Sequence, residues 1–418
     1  MSSDKSHNCQ VFHFDLYGTR EEKYEYLNHH SLGEVDWKVL RPEAPYNFFT
    51  PKDFSAKVEY EKGFKIEDLM PIYTTGLKSQ QDKANIFFTP KEADTMLNEF
   101  INKTVDELKN EYGFKDNRDW TVSWSKADLQ KHPVIERTLL YRPFDVRYLN
   151  YTGTTKGVVG YPRYAVLGCM LNHDNISFCT IRSNRDYYFD IFISSLIADK
   201  TLLSSKDDIS QIPLYVYKEN MGKEKRIVNF NKEVYEKIAK GLNYLPCYDD
   251  NVMVDPTSEY DGVLYPQDLF DYIYAVLHSP SYREHFKEFL KIDFPRIPYP
   301  TDWERFRDLV EKGEELRMLH LMEDIPSKTG ITFPVASSMQ VDFYRWKNNR
   351  VYINSEQYFE GVPESAWNFF IGGYQPAQKW LKDRKGMTLS FEDVKHYGDI
   401  IYVLLQTDRI MQEIDAIR

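Results

Sequence analysis

The feature that most constrains the fold is a change of pattern along the chain. Residues 134–217 are dense in strand formers and tight turns, whereas residues from Pro266 onward place apolar side chains at helical spacing. A run of strands followed by a run of helices indicates the α+β class. The sequence therefore predicts a mixed, β-rich lobe or lobes, a helical bundle region and C-terminal helices.

Capping residues and prolines predict where several helices begin and end. Thr19 precedes a segment with early carboxylates, and Pro90 stands near the start of another apolar-periodic segment. Ser279 with Pro280, and later Asp302, are typical of helix starts. Residues 294–300 cannot continue a helix because their prolines lack an amide hydrogen. The tail predicts a short β stretch at 343–353 and helices at 377–383 and 391–417.

No linker or internal repeat marks the domain boundaries, so four segments are assigned from the pattern alone. Residues 1–57 form an entry segment, and 58–260 form a β-rich lobe in which 63–89 is interpreted as strands around a glycine turn. Residues 261–330 form a helical region. Residues 331–418 add a small β element and helices.

Charge is distributed unevenly along the 418 residues. Between Arg137 and Lys206 there are nine Lys or Arg against five Asp and no Glu, and this balance of +4 leaves −15 for the rest of a chain whose net charge is −11. A nucleic-acid site needs only a local basic face. An acidic body with one basic stretch therefore suits a protein that touches a polyanion on one side.

Several classes of protein are disfavoured by what the sequence lacks. It has no apolar run long enough to span a bilayer and no stretch resembling a signal peptide, which predicts a cytoplasmic location. The four cysteines are far apart and form no CxxC pair, which disfavours a thiolate zinc site and a disulfide framework.

The motifs of methyl transfer and of nucleotide binding are also missing. Methylation of the adenine amine requires Asp or Asn followed by Pro-Pro and an aromatic residue, which hold and stack the flipped base. Adenosyl and dinucleotide pockets usually use Gly-x-Gly so that the backbone can approach the ligand. Neither Pro-Pro, nor Gly-x-Gly, nor a P-loop occurs. The sequence therefore predicts no catalytic residue, no bound cofactor and no metal in this chain.

Two weaker signals each have a plainer interpretation. Asp15, Glu21 and Lys23 loosely fit the spacing of a metal-dependent nuclease, but a glutamate-rich helix start explains the same residues. Residues 157–160, Gly-Val-Val-Gly, resemble the backbone-clamping loop of an RNA-binding module. That module's surrounding pattern is absent, which favours an ordinary hairpin turn.

A segment that alternates arginine with aromatic residues begins at Tyr141. Arginine presents a planar fork that can pair with guanine edges or phosphates, and asparagine can pair with adenine. The alternative is that Arg142 and Arg147 pair with Asp145 or other carboxylates and only organise the fold. Residues 74–81 form a second polar loop, whose alternative is an ordinary hairpin. The candidate DNA-binding residues are Thr75, Lys78, Gln81, Arg142, Arg147, Lys156, Arg163, Arg182, Asn184 and Arg185.

At these residues the chain resembles the C-terminal specificity domain of Type ISP restriction–modification enzymes, and related Type IIG-like proteins, which are adenine-N6 DNA methyltransferases. The resemblance covers nearly the whole chain. Its two longest stretches are the most specific. The matching stretches include Val11-Phe-His-Phe-Asp-Leu-Tyr-Gly-Thr-Arg, Tyr141-Arg-Pro-Phe-Asp-Val-Arg, Phe270-Asp-Tyr-Ile-Tyr-Ala-Val-Leu-His-Ser-Pro-Ser-Tyr-Arg, and Ile371-Gly-Gly-Tyr-Gln-Pro-Ala-Gln-Lys-Trp-Leu-Lys-Asp-Arg-Lys-Gly.

The resemblance implies a division of labour within a larger enzyme. An upstream methyltransferase domain would hold S-adenosylmethionine and the Asn-Pro-Pro-aromatic turn, and residues 1–57 would be its trailing edge or a linker. The remainder would be the target recognition domain. The implied partners are double-stranded DNA and an adenine-N6 methyltransferase domain or subunit. The alternative is a protein-interaction module that docks to a methyltransferase or helicase subunit without major DNA contact.

Overall fold

The computed structural model describes residues 9–44, 46–185, 189–220, 223–248 and 262–417. It divides the chain into two compact units, Met1–Lys57 and Val58–Arg418. Helices and small sheets are interspersed along the chain, which confirms the α+β class. Among the helices in these ranges, none combines the length and apolar character needed to cross a membrane.

The first unit is a small β-ribbon with one helix. Its elements are β1 (Val11–His13), α1 (Arg20–His29) and β2 (Lys38–Leu40), and β1 pairs antiparallel with β2. Thr19 caps α1 as predicted: its hydroxyl accepts a hydrogen bond from the Glu22 amide, and the Glu22 carboxylate accepts one from the Thr19 amide. The Phe14 ring packs on Tyr26, with ring centroids 5.7 Å apart.

The second unit begins with short elements and three amphipathic helices that cover a β-hairpin. The hairpin strands β5 and β6 pair antiparallel with irregularities in register. The predicted helix start near Pro90 is confirmed, because Thr89 caps α5 with a complete capping box and Pro90 holds its first position. The elements are α2 (Lys57–Tyr60), β3 (Phe64–Lys65), α3 (Ile66–Leu69), β4 (Thr74–Thr75), α4 (Asp82–Asn85), α5 (Pro90–Asn102), α6 (Val105–Tyr112), α7 (Val122–Lys131), β5 (Glu136–Arg142) and β6 (Asp145–Tyr151).

The centre of the unit is the predicted β-rich region. An antiparallel sheet has the strand order β4-β9-β7-β8, and β10 and β11 form a separate two-stranded ribbon. The elements are α8 (Tyr164–Leu167), a 3-10 turn (Gly168–Met170), β7 (Ser177–Ile181), β8 (Ile191–Ser194), β9 (Ile209–Pro213), β10 (Tyr215–Asn220), β11 (Lys223–Val228), α9 (Lys232–Gly241) and β12 (Tyr244–Pro246).

The prediction that 63–89 forms strands around a glycine turn is wrong, and so is the hairpin alternative for 74–81. β4 pairs with Ser210 and Gln211 of β9, and the next residues bridge to Asp199 and Tyr161. Glycine at position 76 allows this segment to pass close to the Lys200 backbone, because a Cβ on residue 76 would lie 2.7 Å from that backbone. The strand partners are distant in sequence, so local pattern could not identify them.

The helical region and the tail follow the predicted order. Ser279 and Asp302 cap α11 and α13 through their side chains. α10 and α13 cross closely at Gly313, where a Cβ would lie 1.9 Å from the Asp271 carbonyl oxygen. The elements are β13 (Gly262–Leu264), α10 (Pro266–His278), α11 (Pro280–His285), α12 (Lys287–Leu290), β14 (Arg296–Ile297), α13 (Trp303–His320), β15 (Arg345–Lys347), β16 (Arg350–Tyr352), β17 (Tyr358–Glu360), α14 (Glu364–Asn368), α15 (Pro376–Asp383) and α16 (Phe391–Ala416).

Two hydrophobic clusters form the core of the second unit. One joins α5–α7 with the β5–β6 hairpin around Trp120 and Leu149. The other joins the central sheet to the tail, with Phe192 and Trp380 in the same cluster. The tail at 341–404 therefore shares a core with residues 140–209 instead of folding apart from them.

Candidate nucleic-acid interface

Arg142 is a buried structural residue. Its guanidinium lies 2.9 Å from the Asp199 carboxylate, 3.8 Å above the Tyr141 ring and 5.4 Å from the Tyr374 ring. The Arg142 side chain is only 11% exposed. A guanidinium enclosed in this way cannot reach a duplex without leaving its carboxylate buried and unpaired.

Arg147 is buried in a larger ion-pair network. Two of its nitrogens donate to Asp145, one of them at 2.6 Å, and Arg384 donates to the same carboxylate at 3.0 Å. Burial alone would raise the pKa of Asp145, but Arg384 and Arg147 outweigh burial and hold that pKa below its ordinary value. The alternative in which Arg142 and Arg147 form internal pairs and organise the fold thus describes their positions.

Arg182 and Arg185 reach solvent but are engaged in surface ion pairs. Arg182 is 51% exposed and contacts Asp293 at 2.8 Å, whereas Arg185 is 74% exposed and contacts Asp207 at 2.8 Å. Asn184 between them is buried, and its backbone N–H donates a hydrogen bond to the backbone carbonyl of Lys291. The carboxylates are less exposed than the arginines, at 21% for Asp293 and 5% for Asp207, so each arginine is held by its carboxylate while part of its side chain faces solvent.

Thr75 and Gln81 are both half-buried, Thr75 at the end of β4 and Gln81 directly before α4. Thr75 lies in β4 opposite Ser210. Gln81 precedes α4, and its carbonyl accepts a hydrogen bond from the Asn85 side chain at 3.2 Å.

Lys78 and Arg163 meet on one aromatic ring. The Lys78 ammonium lies 5.6 Å and the Arg163 guanidinium 5.0 Å from the centroid of Tyr161. The Arg163 side chain is exposed, and its backbone φ of 57° lies in the left-handed region that a non-glycine residue adopts at a cost. The two cations therefore lie close to the same ring near solvent.

A third cation, Arg118, extends the same surface and was missed from the sequence. Its side chain is 88% exposed and pairs with Asp119 at 2.8 Å. Gln80 donates to the other oxygen of Asp119 at 3.4 Å, which ties the 117–120 turn to the polar loop. The sequence signal that could have identified Arg118 is its place between Asn117 and Asp119 in a polar turn. It lies outside the basic stretch, which begins at residue 137.

Lys156 stands on a loop that a buried carboxylate organises. Asp128 accepts hydrogen bonds from the Val158 amide and the Thr152 hydroxyl, each at 2.8 Å. A Cβ at Gly157 would lie 2.1 Å from the same carboxylate oxygen, so glycine is required there. The prediction of an ordinary hairpin turn at 157–160 is wrong: these residues are buried and anchored to α7. Lys156 itself is exposed, 5.1 Å from the Trp124 ring centroid.

These residues define one surface, named here the loop cluster. The loops that carry it are joined by backbone hydrogen bonds between 78–79 and 160–161, and by the Trp120 indole donating to the Val158 carbonyl at 3.0 Å. Four of its members are cations, and the Asp119 carboxylate lies beside them. The loop cluster consists of Lys78, Gln80, Arg118, Lys156, Tyr161 and Arg163.

Three further features of the described ranges lie outside the loop cluster. No group of three or more His, Cys, Asp or Glu residues there could hold a metal ion. Glu21 lies in the first turn of α1, as the helix-start interpretation predicts. A cavity of about 950 Å³ lies beside α10 and α11, apart from the loop cluster; its aromatic lining comprises Tyr60, Tyr272, Tyr282, Phe286, Tyr299 and Phe306.

Comparison with solved structures identifies the class of fold. A nuclease-deletion mutant of the Type ISP restriction–modification enzyme LlaGI, in complex with a DNA substrate mimic, superposes with a TM-score of 0.69 at 19% identity, over 98% of this chain and 33% of that one. A DrdV–DNA complex gives 0.67 at 19% identity, over 94% and 42%. The ATP-dependent Type ISP enzyme LlaBIII bound to DNA gives 0.67 at 17% identity, over 91% and 25%.

The fold is thus one found within restriction–modification enzymes, and this chain spans a quarter to about two fifths of the length of those proteins. The model of the Type ISP C-terminal specificity domain matches residues 68–413. The chain belongs to this family, which confirms the resemblance stated above. A search of curated proteins gives no match.

Proposed function

We propose that this chain recognises a specific sequence in duplex DNA on behalf of an adenine-N6 methyltransferase of a restriction–modification system, and that it does not transfer methyl groups itself. The observation that carries the proposal is the loop cluster. It brings four exposed or half-exposed cations together on a chain with a net charge of −11. The DNA-bound state of the LlaGI and LlaBIII structures, which share this fold, supports the assignment.

The chemistry of the loop cluster suits both parts of sequence recognition. Lysine and arginine hold phosphates and set the register on the duplex, but they carry no sequence information in doing so. Gln80 and Gln81 in the polar loop after β4, and Thr75 in β4 itself, carry amide and hydroxyl groups of the kind that read base edges. Arg182 and Arg185 would add phosphate contacts through the solvent-facing parts of their side chains while keeping their ion pairs.

A methyltransferase partner is supported by the first unit. Several of its large apolar side chains are strongly exposed, among them Tyr17 at 82%, Leu27 at 62% and Leu32 at 79%. These side chains leave apolar area on the first unit that a protein partner could cover. We infer that this unit docks to the methyltransferase domain or subunit, which holds S-adenosylmethionine, and that the assembly acts on DNA in the cytoplasm.

Fluorescence anisotropy with a labelled mixed-sequence duplex tests the DNA assignment. We expect binding that weakens steeply between about 50 and 200 mM salt, since each phosphate contact releases counterions. Lys156→Ala/Arg163→Ala should reduce the slope of log affinity against log salt by about 1.8, or roughly 0.9 per contact. The matched control is Lys382→Ala/Lys385→Ala, which removes the same charge at exposed positions of α15 and the loop after it.

The possible outcomes separate clearly. Absence of binding at low salt, or an equal loss of affinity in both double variants, would contradict the proposal. Enrichment of one short site from a random-sequence pool would support sequence recognition. Adenine methylation by the purified chain with S-adenosylmethionine alone would overturn the non-catalytic assignment.

A further inference from the structure

The β10–β11 ribbon presents a cationic face that the loop cluster does not include. The ribbon is antiparallel, with Val216 opposite Ile227 and Lys218 opposite Lys225. Directly opposed residues share a face, and alternate residues along a strand also share it. Lys218 and Lys225 therefore lie on the same face as Val216 and Ile227, one pair further from the base of the ribbon. The apolar pair is buried or half-buried, whereas both lysines are exposed.

Lys218 and Lys225 are both exposed, and neither has an ion-pair partner among the residues that the structure describes. Like charges placed directly opposite each other destabilise a ribbon. A polyanion bound at this face would reduce the repulsion between Lys218 and Lys225.

On the other face of the ribbon, the described side chains contact one another. Glu224 lies 3.4 Å from His173, and the His173 ring stacks on Tyr217 with a centroid separation of 3.6 Å. Arg226 on that face covers the Tyr215 ring at 4.4 Å. Because the acidic Glu224 points away from the lysine face, the positive potential of Lys218 and Lys225 is not cancelled by it.

The base of the ribbon is fixed to the segment that carries the loop cluster. The Asn175 amide donates to the carbonyls of Cys169 and Tyr215, each at 2.9 Å, and its oxygen accepts from the Tyr215 amide. Cys169 lies in the 3-10 turn that directly follows α8, and α8 begins immediately after Arg163. The ribbon is thus tied by hydrogen bonds to the short helical segment that follows Arg163 of the loop cluster.

We propose that the lysine face of the β10–β11 ribbon binds the phosphate backbone of the same DNA duplex. This inference rests on the proposed function, and it adds a second element that contacts DNA outside the residues identified from sequence. A two-stranded ribbon is narrow enough to enter or border a major groove. Charge complementarity favours DNA as the occupant, since lysine binds phosphate and neither lysine has an ion-pair partner in the described part of the chain.

The experiment compares the full chain with Lys218→Ala/Lys225→Ala, using a labelled mixed-sequence duplex over a series of salt concentrations. We expect affinity to fall about tenfold or more at low salt and the salt slope to become shallower by about 1.8. Lys218→Arg/Lys225→Arg should restore both quantities, because it keeps the charge. Lys382→Ala/Lys385→Ala removes equal charge elsewhere and should leave the slope unchanged.

Each outcome decides the matter. If the wild type binds DNA and the ribbon variant keeps the same slope, the inference is wrong while the proposed function stands. If the control variant loses as much as the ribbon variant, the effect is one of net charge, and the inference is also wrong. If the wild type binds no DNA at low salt, both proposals fail. Loss confined to the alanine ribbon variant, with recovery in the arginine variant, supports the inference.

Discussion

The main chains of Lys78 and Tyr161 exchange two hydrogen bonds, with N···O distances of 3.2 and 3.0 Å. This bridge joins the polar loop after β4 to the loop that leads into α8. It brings the Lys78 ammonium and the Arg163 guanidinium to the same ring. The cationic surface is therefore a product of tertiary structure and not of one basic segment.

Arg118 and its neighbour Asp119 should have opposite effects on DNA affinity. Arg118→Ala is expected to weaken binding and to reduce the salt slope by about 0.9, since it removes one exposed phosphate contact. Asp119→Asn should strengthen binding, because it removes the carboxylate that pairs with Arg118 while keeping an acceptor. Anisotropy titrations measure both. Unchanged affinity in both variants would remove the 117–120 turn from the interface.

Arg147→Ala should act on stability and not directly on DNA contact. The substitution leaves Asp145 with Arg384 as its remaining arginine partner in a buried site. We expect the free energy of unfolding to fall by about 3 to 5 kcal/mol, as it does when one partner of a buried pair is removed.

Urea denaturation measures this loss. Arg345→Ala, an exposed position in β15, is the control and should change stability by no more than about 0.5 kcal/mol. A stable Arg147→Ala protein that has selectively lost DNA affinity would show that the guanidinium reaches the duplex after all.

Gly157→Ala should displace the loop that carries Lys156. Its Cβ would lie 2.1 Å from the Asp128 carboxylate oxygen, which also accepts the Val158 amide. We expect a loss of about 1 to 3 kcal/mol in stability and a measurable loss of DNA affinity. Gly33→Ala, where nothing lies within 4 Å of the new carbon, is the matched control and should leave both properties unchanged. Normal affinity in Gly157→Ala would mean that the loop's position is irrelevant to binding.

Two buried histidines should make the fold sensitive to acid. Burial lowers the pKa of His278 and of His320 well below the ordinary value, and the positive charge of Arg283 adds to the effect at both. The folded state therefore keeps both rings neutral while the unfolded chain takes up protons below about pH 6.5. Their contribution to stability is complete above that pH and is lost as the pH falls below it, by up to about 1.4 kcal/mol per pH unit for each ring.

His278→Gln isolates one of these contributions. Its side chain can keep a hydrogen bond to the Tyr274 carbonyl, which the His278 ring contacts at 2.8 Å. Burial also raises the pKa of Asp271 to about 7, which has the opposite sign but is common to both proteins. Urea midpoints between about pH 7.5 and 5.5 should therefore fall less steeply in the variant. Equal slopes would contradict the assignment of a depressed histidine pKa.

Local signals predicted the helix starts well because their causes are local. Thr19, Thr89 and Asp302 each cap a helix by bonding to an amide three residues ahead. Strand partners were predicted poorly where they are far away, as for β4, which pairs with β9. The shared core of the central sheet and the tail likewise depends on contacts such as Phe192 with the Trp380 cluster, which no local pattern encodes.

The same reason explains the mixed outcome for the candidate residues. Whether an arginine faces DNA or a carboxylate depends on partners distant in sequence: Asp199 lies 57 residues after Arg142, and Arg384 lies 239 residues after Asp145. Arg118 escaped notice because its exposure arises from the turn it occupies and not from a basic run. The sequence identified the family and the basic region, and the structure distinguishes the buried arginines from the exposed ones.

Hydrogen exchange of backbone amides, measured with and without a bound duplex, tests most directly whether the loop cluster faces DNA. The account predicts slower exchange on DNA binding in the peptides that cover 78–81, 117–120 and 156–164, with 215–218 and 224–228 also protected if the ribbon contributes. Protection confined to surfaces away from all of these segments, with the duplex demonstrably bound, would contradict it.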